Sequence, residues 1–195
     1  MVIGISGKKG SGKDTALINA LPLLEDYYVV RVAFADPLKE EVFTHILRPL
    51  GLSKEIIDDP EYKEGVRPVV IWWGNFIRRR LTSKEYWVDA LDKIIIEIER
   101  NHPDAIIIVT DVRFKNEAKF LQTKWNAYIV RVKRKKPLLK AISVWFKSLF
   151  IKDDISETEL DLFDFDYVIQ NNSTPEVLGQ KLAEYIRLLA VGVKN

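Results

Sequence analysis

Short, unbroken apolar runs alternate along this chain with segments whose apolar positions recur at helical spacing. The runs at 1–6, 28–35, 105–110, 127–132 and 167–170 predict five strands. They are rich in Val and Ile and lack a strict apolar–polar alternation, which predicts strands covered on both faces. After the first run, Ala16, Leu17, Ala20, Leu21 and Leu24 fall on one helical face. Further helices are predicted over 37–50, 68–80, 85–100, 115–122, 137–150 and 175–189. The polar stretch 53–66 reads as a surface excursion, and Thr174 as an N-cap with Pro175 at the first helical position. Strands alternating with helices predict an α/β fold, a parallel five-stranded sheet flanked by helices. Such sheets take ligands outside the carboxyl ends of their strands. That rule singles out Asp36, Asp111, Arg113 and Arg131, each at or just after the end of a predicted strand.

Between the first strand and its helix lies Gly7-Lys8-Lys9-Gly10-Ser11-Gly12-Lys13-Asp14-Thr15. Two glycines, a lysine, a preceding strand and a following helix form a phosphate-binding loop. Glycines let backbone N–H groups wrap a phosphate chain, and the helix N-terminus adds partial positive charge. Lys13 then reaches the β- and γ-phosphates of a nucleotide such as ATP. The hydroxyl residue usual after the lysine is displaced by one, since Asp14 precedes Thr15. Mg²⁺ keeps several waters and binds substrate phosphates, so it remains compatible with this loop. Asp14 either orients a metal-bound water or complements the helix dipole; Thr15 is placed to donate to a phosphate.

Four further constellations carry charge or aromatic surface. Asp36 and Lys39, in Phe-Ala-Asp-Pro-Leu-Lys, either face an acceptor or, for Asp36, cap the helix that Pro37 opens. Asp111 and Arg113 stand two apart at a strand end, fit for a ribose, a metal-bound water or a phosphate fork, or else for a local ion pair. Trp72 and Trp73 precede Gly74-Asn75 and Arg78. Trp73 either stacks on a base or packs the core, and Arg78 is placed to neutralise an acceptor phosphate. The basic run 131–136, with Arg131 and Arg134, leads into an amphipathic segment and reads as a mobile lid or a solvated surface. Ser156 and Glu159 stand at capping-box spacing. His45 and His102 lie in neither a nucleophile nor a metal pattern.

Composition narrows the classes. The 195 residues, 47% hydrophobic, fit one domain with a real core. A net charge of +2 argues against nucleic acid as the main partner. Without cysteines there is no disulfide, thiolate metal site or cysteine nucleophile. No apolar run approaches the ~20 residues of a membrane span, and no signal segment precedes the first strand. The expectation is an intracellular, cytoplasmic protein acting on a small molecule.

These residues resemble the deoxynucleoside monophosphate kinases of phages and viruses, nearly end to end. The loop with its Asp14-Thr15 ending, the Ala35-Asp36-Pro37-Leu38-Lys39 step, Trp73-Gly74-Asn75 with Arg78 and Tyr86-Trp87-Val88, Thr110-Asp111-Val112-Arg113, Ile155-Ser156-Glu157 and the turn at Asn171 follow that family's order. Asn75 stands where a threonine is common, and Asp154 where a histidine is frequent. The resemblance implies a three-layer P-loop NTPase fold, one kinase domain over 1–195, with an acceptor-binding region near 37–100 and a lid near 131–157. It implies transfer of the γ-phosphoryl of ATP, with Mg²⁺, to a deoxynucleoside monophosphate, in host cytoplasm if the source is viral. The implied roles are Lys13 at the donor phosphates and Arg78 and Arg113 on the acceptor phosphate. Arg131 and Arg134 are implied as lid cations. Asp36, Lys39, Trp73 and Asp111 face the acceptor, and Asp14, Thr15 and Asp111 lie near the metal. A homodimer stays open. So do two other readings: a kinase for another phosphorylated acceptor, such as dephospho-coenzyme A, and a nucleotide-binding module without catalysis.

Overall fold

The computed structural model describes residues 1–134 and 159–193. In them the apolar runs become β1 (Val2–Ser6), β2 (Val29–Val32), β3 (Ile106–Val112), β4 (Tyr128–Lys133) and β5 (Tyr167–Gln170). They make one five-stranded parallel sheet in the order β2-β3-β1-β4-β5. The helices are α1 (Lys13–Ala20), α2 (Ala35–Val42), α3 (Lys63–Trp72), α4 (Tyr86–Asn101), α5 (Lys115–Trp125) and α6 (Pro175–Val193). β1 is flanked by β3 on one side and β4 on the other. The chain therefore reverses its direction of travel across the sheet at β1, the switch point where α/β sheets open a ligand crevice.

Contacts divide the chain into two compact units, Met1–Arg31 with Asp104–Asn195, and Val32–Pro103. In the first, Ile3, Ile5, Ile106, Ile108, Val130 and Val132 of the sheet pack with Leu17 and Ala20 of α1 and Leu178, Leu182 and Ile186 of α6. Burying each of the Val, Leu and Ile side chains contributes about 1.5–3 kcal/mol. α6 approaches α1 closely at Gly179, where an added Cβ would lie 2.7 Å from the Asn19 carbonyl oxygen. The second unit closes a smaller core around Val42, Leu47 and Ile57, against which Leu38, Val66, Val69 and Trp73 pack.

Several boundaries differ from the sequence reading. β2 stops at Val32; Ala33 and Phe34 are buried in a turn, and α2 starts at Ala35. An apolar run reads the same whether it is a strand or a buried helix start. Asp36 consequently lies in the first turn of α2 and is not its cap, which is Phe34. β3 extends to Val112 and β4 to Lys133, so Asp111 and Arg131 lie inside strands. α3 begins at Lys63, within the stretch read as a surface excursion, and Pro68 lies in its interior. Beyond α2 the chain continues as a π-helical turn, Phe43–Leu47, and a tight turn, Arg48–Leu50, ending at Gly51 with φ 74°. Beyond α3 a longer π-helical stretch runs over Trp73–Arg80. Thr174 does accept from the Val177 N–H, at 3.5 Å, at the start of α6. The segment 137–150, Ser156 and most of the region read as a lid lie outside the described residues.

Candidate functional site

Strand register builds the first part of the site. Ser6, the last residue of β1, stands opposite Val112 of β3 and Arg131 of β4. The loop from Gly7 therefore leaves the sheet with Arg113 on one flank and Arg131 on the other. Ser6, Gly7, Lys8, Val112, Arg113, Arg131 and Leu160 line one small cleft there. A Cβ on Gly7 would lie 2.7 Å from the Val132 carbonyl oxygen, so only glycine fits. The loop turns through a hydrogen bond from the Ser11 N–H to the Lys8 carbonyl, 2.9 Å. Gly12, at φ 95°, holds the left-handed conformation that launches α1 at Lys13. Asp14 and Thr15 complete the first turn, with Asp14 exposed.

Two side chains far along the sequence hold this geometry. Asn171, just past β5, donates from its amide to the Ser11 carbonyl at 2.8 Å, while its own N–H bonds the Lys133 carbonyl at 2.7 Å. It thereby ties the loop to the sheet edge. Glu117 of α5 is 1% exposed and accepts from the N–H groups of Arg113 (2.9 Å) and Phe114 (3.1 Å). It fixes the turn that carries Arg113, and as a first-turn acid it also suits the dipole of α5. Only its place three residues after the helix boundary marks it in sequence.

Arg131 is 5% exposed, which corrects its reading as a lid cation. Its guanidinium bonds Asp161 at 2.9 Å and lies 5.0 Å from the centre of the Phe165 ring. Lys8 pairs with the other Asp161 oxygen at 2.7 Å. Burial alone would raise the Asp161 carboxyl; Lys8 and Arg131 outweigh it and hold the pKa below the ordinary value. The Nε of Arg131 and the hydroxyl of Ser11 are buried with no hydrogen-bond partner among the described residues. Buried polar atoms are rarely left so, and both lie in the elements that frame the cleft. Arg134, by contrast, is exposed just beyond β4.

The second unit gathers another group around Glu41 of α2. Its carboxylate accepts from Trp73 Nε1 at 2.8 Å, from Arg78 Nε at 2.6 Å and from the Tyr86 hydroxyl. The Arg78 guanidinium lies 4.6 Å from the Tyr86 ring centre and 5.4 Å from that of Trp73. His45 stacks on Trp73, 5.5 Å away and 17° from parallel. Burial tends to raise the Glu41 carboxyl; the three hydrogen bonds and the Arg78 charge win and lower it. Burial and the Glu41 charge raise the Tyr86 phenol. Trp73 and Arg78, singled out in the sequence, are thus brought together. Glu41 was not singled out in the sequence, where it is one of two adjacent acids, Glu40-Glu41. Lys39 lies elsewhere, with its ammonium 2.8 Å from both Asp58 oxygens.

The chemistry of these groups fits a polyphosphate with a divalent cation. Loop N–H groups, Lys8 and two arginines suit phosphate oxygens. Among the described residues no three His, Cys, Asp or Glu side chains form a cation cage. Mg²⁺ would then be carried mainly by phosphates and water. No helix of the described residues is long and apolar enough to cross a membrane.

Several known proteins are similar to this chain. A protein of Acanthamoeba polyphaga mimivirus named "Putative deoxynucleotide monophosphate kinase" is 29% identical over 90% of this chain and 91% of its own. A gluconokinase structure from Sinorhizobium meliloti superposes with a TM-score of 0.50, at 11% identity, covering 99% of this chain and 95% of that one. A shikimate kinase from Aquifex aeolicus aligns over 98% of this chain and 99% of its own, with a TM-score of 0.42 and 14% identity. Residues 5–127 match the family model for phosphomevalonate kinase. With the glycine loop at the switch point of its sheet, the chain belongs to that family of P-loop kinases.

Proposed function

We propose that the protein transfers the γ-phosphoryl group of ATP to a deoxynucleoside monophosphate, giving the diphosphate. The observation that carries the reading is the register of β1, β3 and β4. It sets Arg113 and Arg131 beside a glycine loop that already offers Lys8 and, at the start of α1, Lys13. Two names support the acceptor class. Phosphomevalonate and a deoxynucleotide monophosphate each already carry a phosphate monoester. The viral relative covers nine-tenths of the chain and favours the nucleotide.

Phosphoryl transfer asks for alignment and charge neutralisation more than covalent catalysis. An acceptor phosphate is itself a nucleophile, so no general base is required. Loop N–H groups and Lys13 hold the donor β- and γ-phosphates. Arg113 and Arg131 supply charge from the strand ends, and Arg134 keeps the role of a lid cation. Mg²⁺ would supply neutralisation of phosphate charge, and Asp14, Thr15 and Asp111 would help hold it through water. In the second unit Arg78 takes the acceptor phosphate and Trp73 the base. Asp36 and Lys39 complete the acceptor side, with Lys39 leaving Asp58 to do so.

A second reading, phosphomevalonate as the acceptor, is favoured by the family match. A panel of the four deoxynucleoside monophosphates and phosphomevalonate, each with ATP and Mg²⁺, separates the two. The first reading expects ADP release with at least one nucleotide and its loss by about two orders of magnitude or more in Lys13→Ala. Turnover of phosphomevalonate alone would transfer the assignment to the second.

A further inference from the structure

The group around Glu41 gathers three donors on one carboxylate and sets two rings beside one arginine. Arg78 presents two edges for bidentate bonding, one through Nε and one through its two Nη atoms. Glu41 takes the Nε edge at 2.6 Å. The two aromatic faces of Trp73 and Tyr86 restrain the guanidinium plane, at 5.4 Å and 4.6 Å. Those rings are themselves pinned, because the Trp73 indole N–H and the Tyr86 hydroxyl both donate to the same carboxylate. One acid therefore sets three side chains that approach it from the π-helical stretch and from α4. The Arg78 side chain is 23% exposed and that of Glu41 is 20% exposed, so the cluster is neither sealed in the core nor free on the surface. Among the described residues, no hydrogen bond engages either Nη atom of Arg78, so the end-on fork remains open. An arginine held by one edge, with two aromatic rings beside it and its remaining fork open, is arranged to meet a planar or tetrahedral oxyanion.

We propose that Glu41 is the positioning residue of the acceptor site. It orients the Arg78 fork toward the phosphate monoester of the acceptor and sets the Trp73 and Tyr86 rings around it. The inference rests on the proposed function, which places the acceptor phosphate on Arg78. Glu41 touches no reacting atom in this scheme and acts through Arg78. The structural alternative is that the carboxylate merely satisfies an indole, a phenol and a guanidinium, and stabilises the unit without regard to ligand.

The test uses the full-length protein with ATP, Mg²⁺ and the deoxynucleoside monophosphates as a panel. Glu41→Gln keeps the shape but removes the charge and one acceptor. It is expected to lower kcat/KM for the acceptor by about tenfold to a hundredfold, as expected for a misplaced binding group. The KM for ATP should stay within about twofold, while the thermal midpoint falls, since three hydrogen bonds to the carboxylate are weakened or lost. Glu41→Asp, which keeps the charge and withdraws it by one methylene, should raise the acceptor KM less while leaving the fold intact. It keeps the proposal testable if the Gln variant does not fold. In an Arg78→Ala background, Glu41→Gln should add nothing to the acceptor defect, because the coupling runs through Arg78. Additive defects, or a loss in which both KM values and the thermal midpoint move together, would overturn the proposal in favour of a structural role. Unchanged acceptor kinetics in both variants would overturn it too. Wild-type protein that turns over no panel member defeats the proposed function itself, and the inference falls with it. That result is distinct from an active wild type with silent Glu41 variants.

Discussion

Asn171 illustrates how single residues shape this site. Its amide is the tie between the phosphate loop and the end of β5. Asn171→Ala removes one hydrogen bond and should weaken ATP binding by about fivefold to tenfold, on the scale of ~1 kcal/mol for such a bond. Calorimetric titration with ATP checks this, and unchanged affinity would mean that the loop holds its shape alone. Arg131 and Asp161 carry a second expectation. A carboxyl with a lowered folded pKa stabilises the fold above its unfolded value, here 3.8, and that contribution is lost as pH falls through the folded value. Urea midpoints followed below about pH 4 should therefore fall less steeply in Asp161→Asn than in wild type. Parallel acid limbs would contradict the pairing. The loop glycines, Lys13, Arg113 and Trp73 were legible in the sequence because each carries a local signal, a motif position or a strand-end place. Glu41, Glu117 and Asp161 were not. Glu41 and Asp161 act on partners distant in sequence, and Glu117 on backbone N–H groups three and four residues before it; an isolated acid looks the same whether it faces water or such a partner.

At the scale of elements, helix packing and helix irregularity are the informative features. Gly179 lets α6 pass against α1, where the Asn19 backbone leaves no room for a methyl group. Gly179→Ala should destabilise the protein by about 1–3 kcal/mol, as overpacking does. Chemical denaturation measures it, and an unchanged midpoint would show that the two helices part easily. The π-helical stretch Trp73–Arg80 matters for a different reason. Its wider winding changes the angular spacing of side chains from that of an ordinary helix, and such stretches often occur at functional sites. Helical periodicity could not reveal it, because the apolar pattern alone does not distinguish windings. The same limit explains β2, whose apolar continuation Ala33-Phe34 is a buried turn. Among the described residues the five strands and the order of the helices were legible, since unbroken Val/Ile runs between amphipathic segments leave little choice of fold class. Pro68 misled, because a proline inside α3 is tolerated there and does not mark its start.

For the whole molecule, a kinase of this family should respond to its donor nucleotide. A ligand that binds only the folded state at a hundred times its Kd adds about 2.7 kcal/mol of stability. ATP with Mg²⁺ should raise the thermal midpoint of wild type and do so far less in Lys13→Ala. An equal rise in both would contradict a donor site built on the loop. The chain resolves into two compact units, each with its own charged group, Lys8, Arg113 and Arg131 in one and Glu41 with Arg78 in the other. Under the proposed function each takes a phosphate. The acceptor is then already a phosphate, so the product contains a new phosphorus–oxygen–phosphorus link. Phosphorus-31 NMR of a reaction with ATP, Mg²⁺ and the deoxynucleoside monophosphates reads that link directly. Paired α and β resonances of a deoxynucleoside diphosphate are expected to grow beside those of ADP as the monophosphate resonance declines. ADP and inorganic phosphate as the only new signals, with the monophosphate resonance unchanged, or an unchanged spectrum, would contradict this.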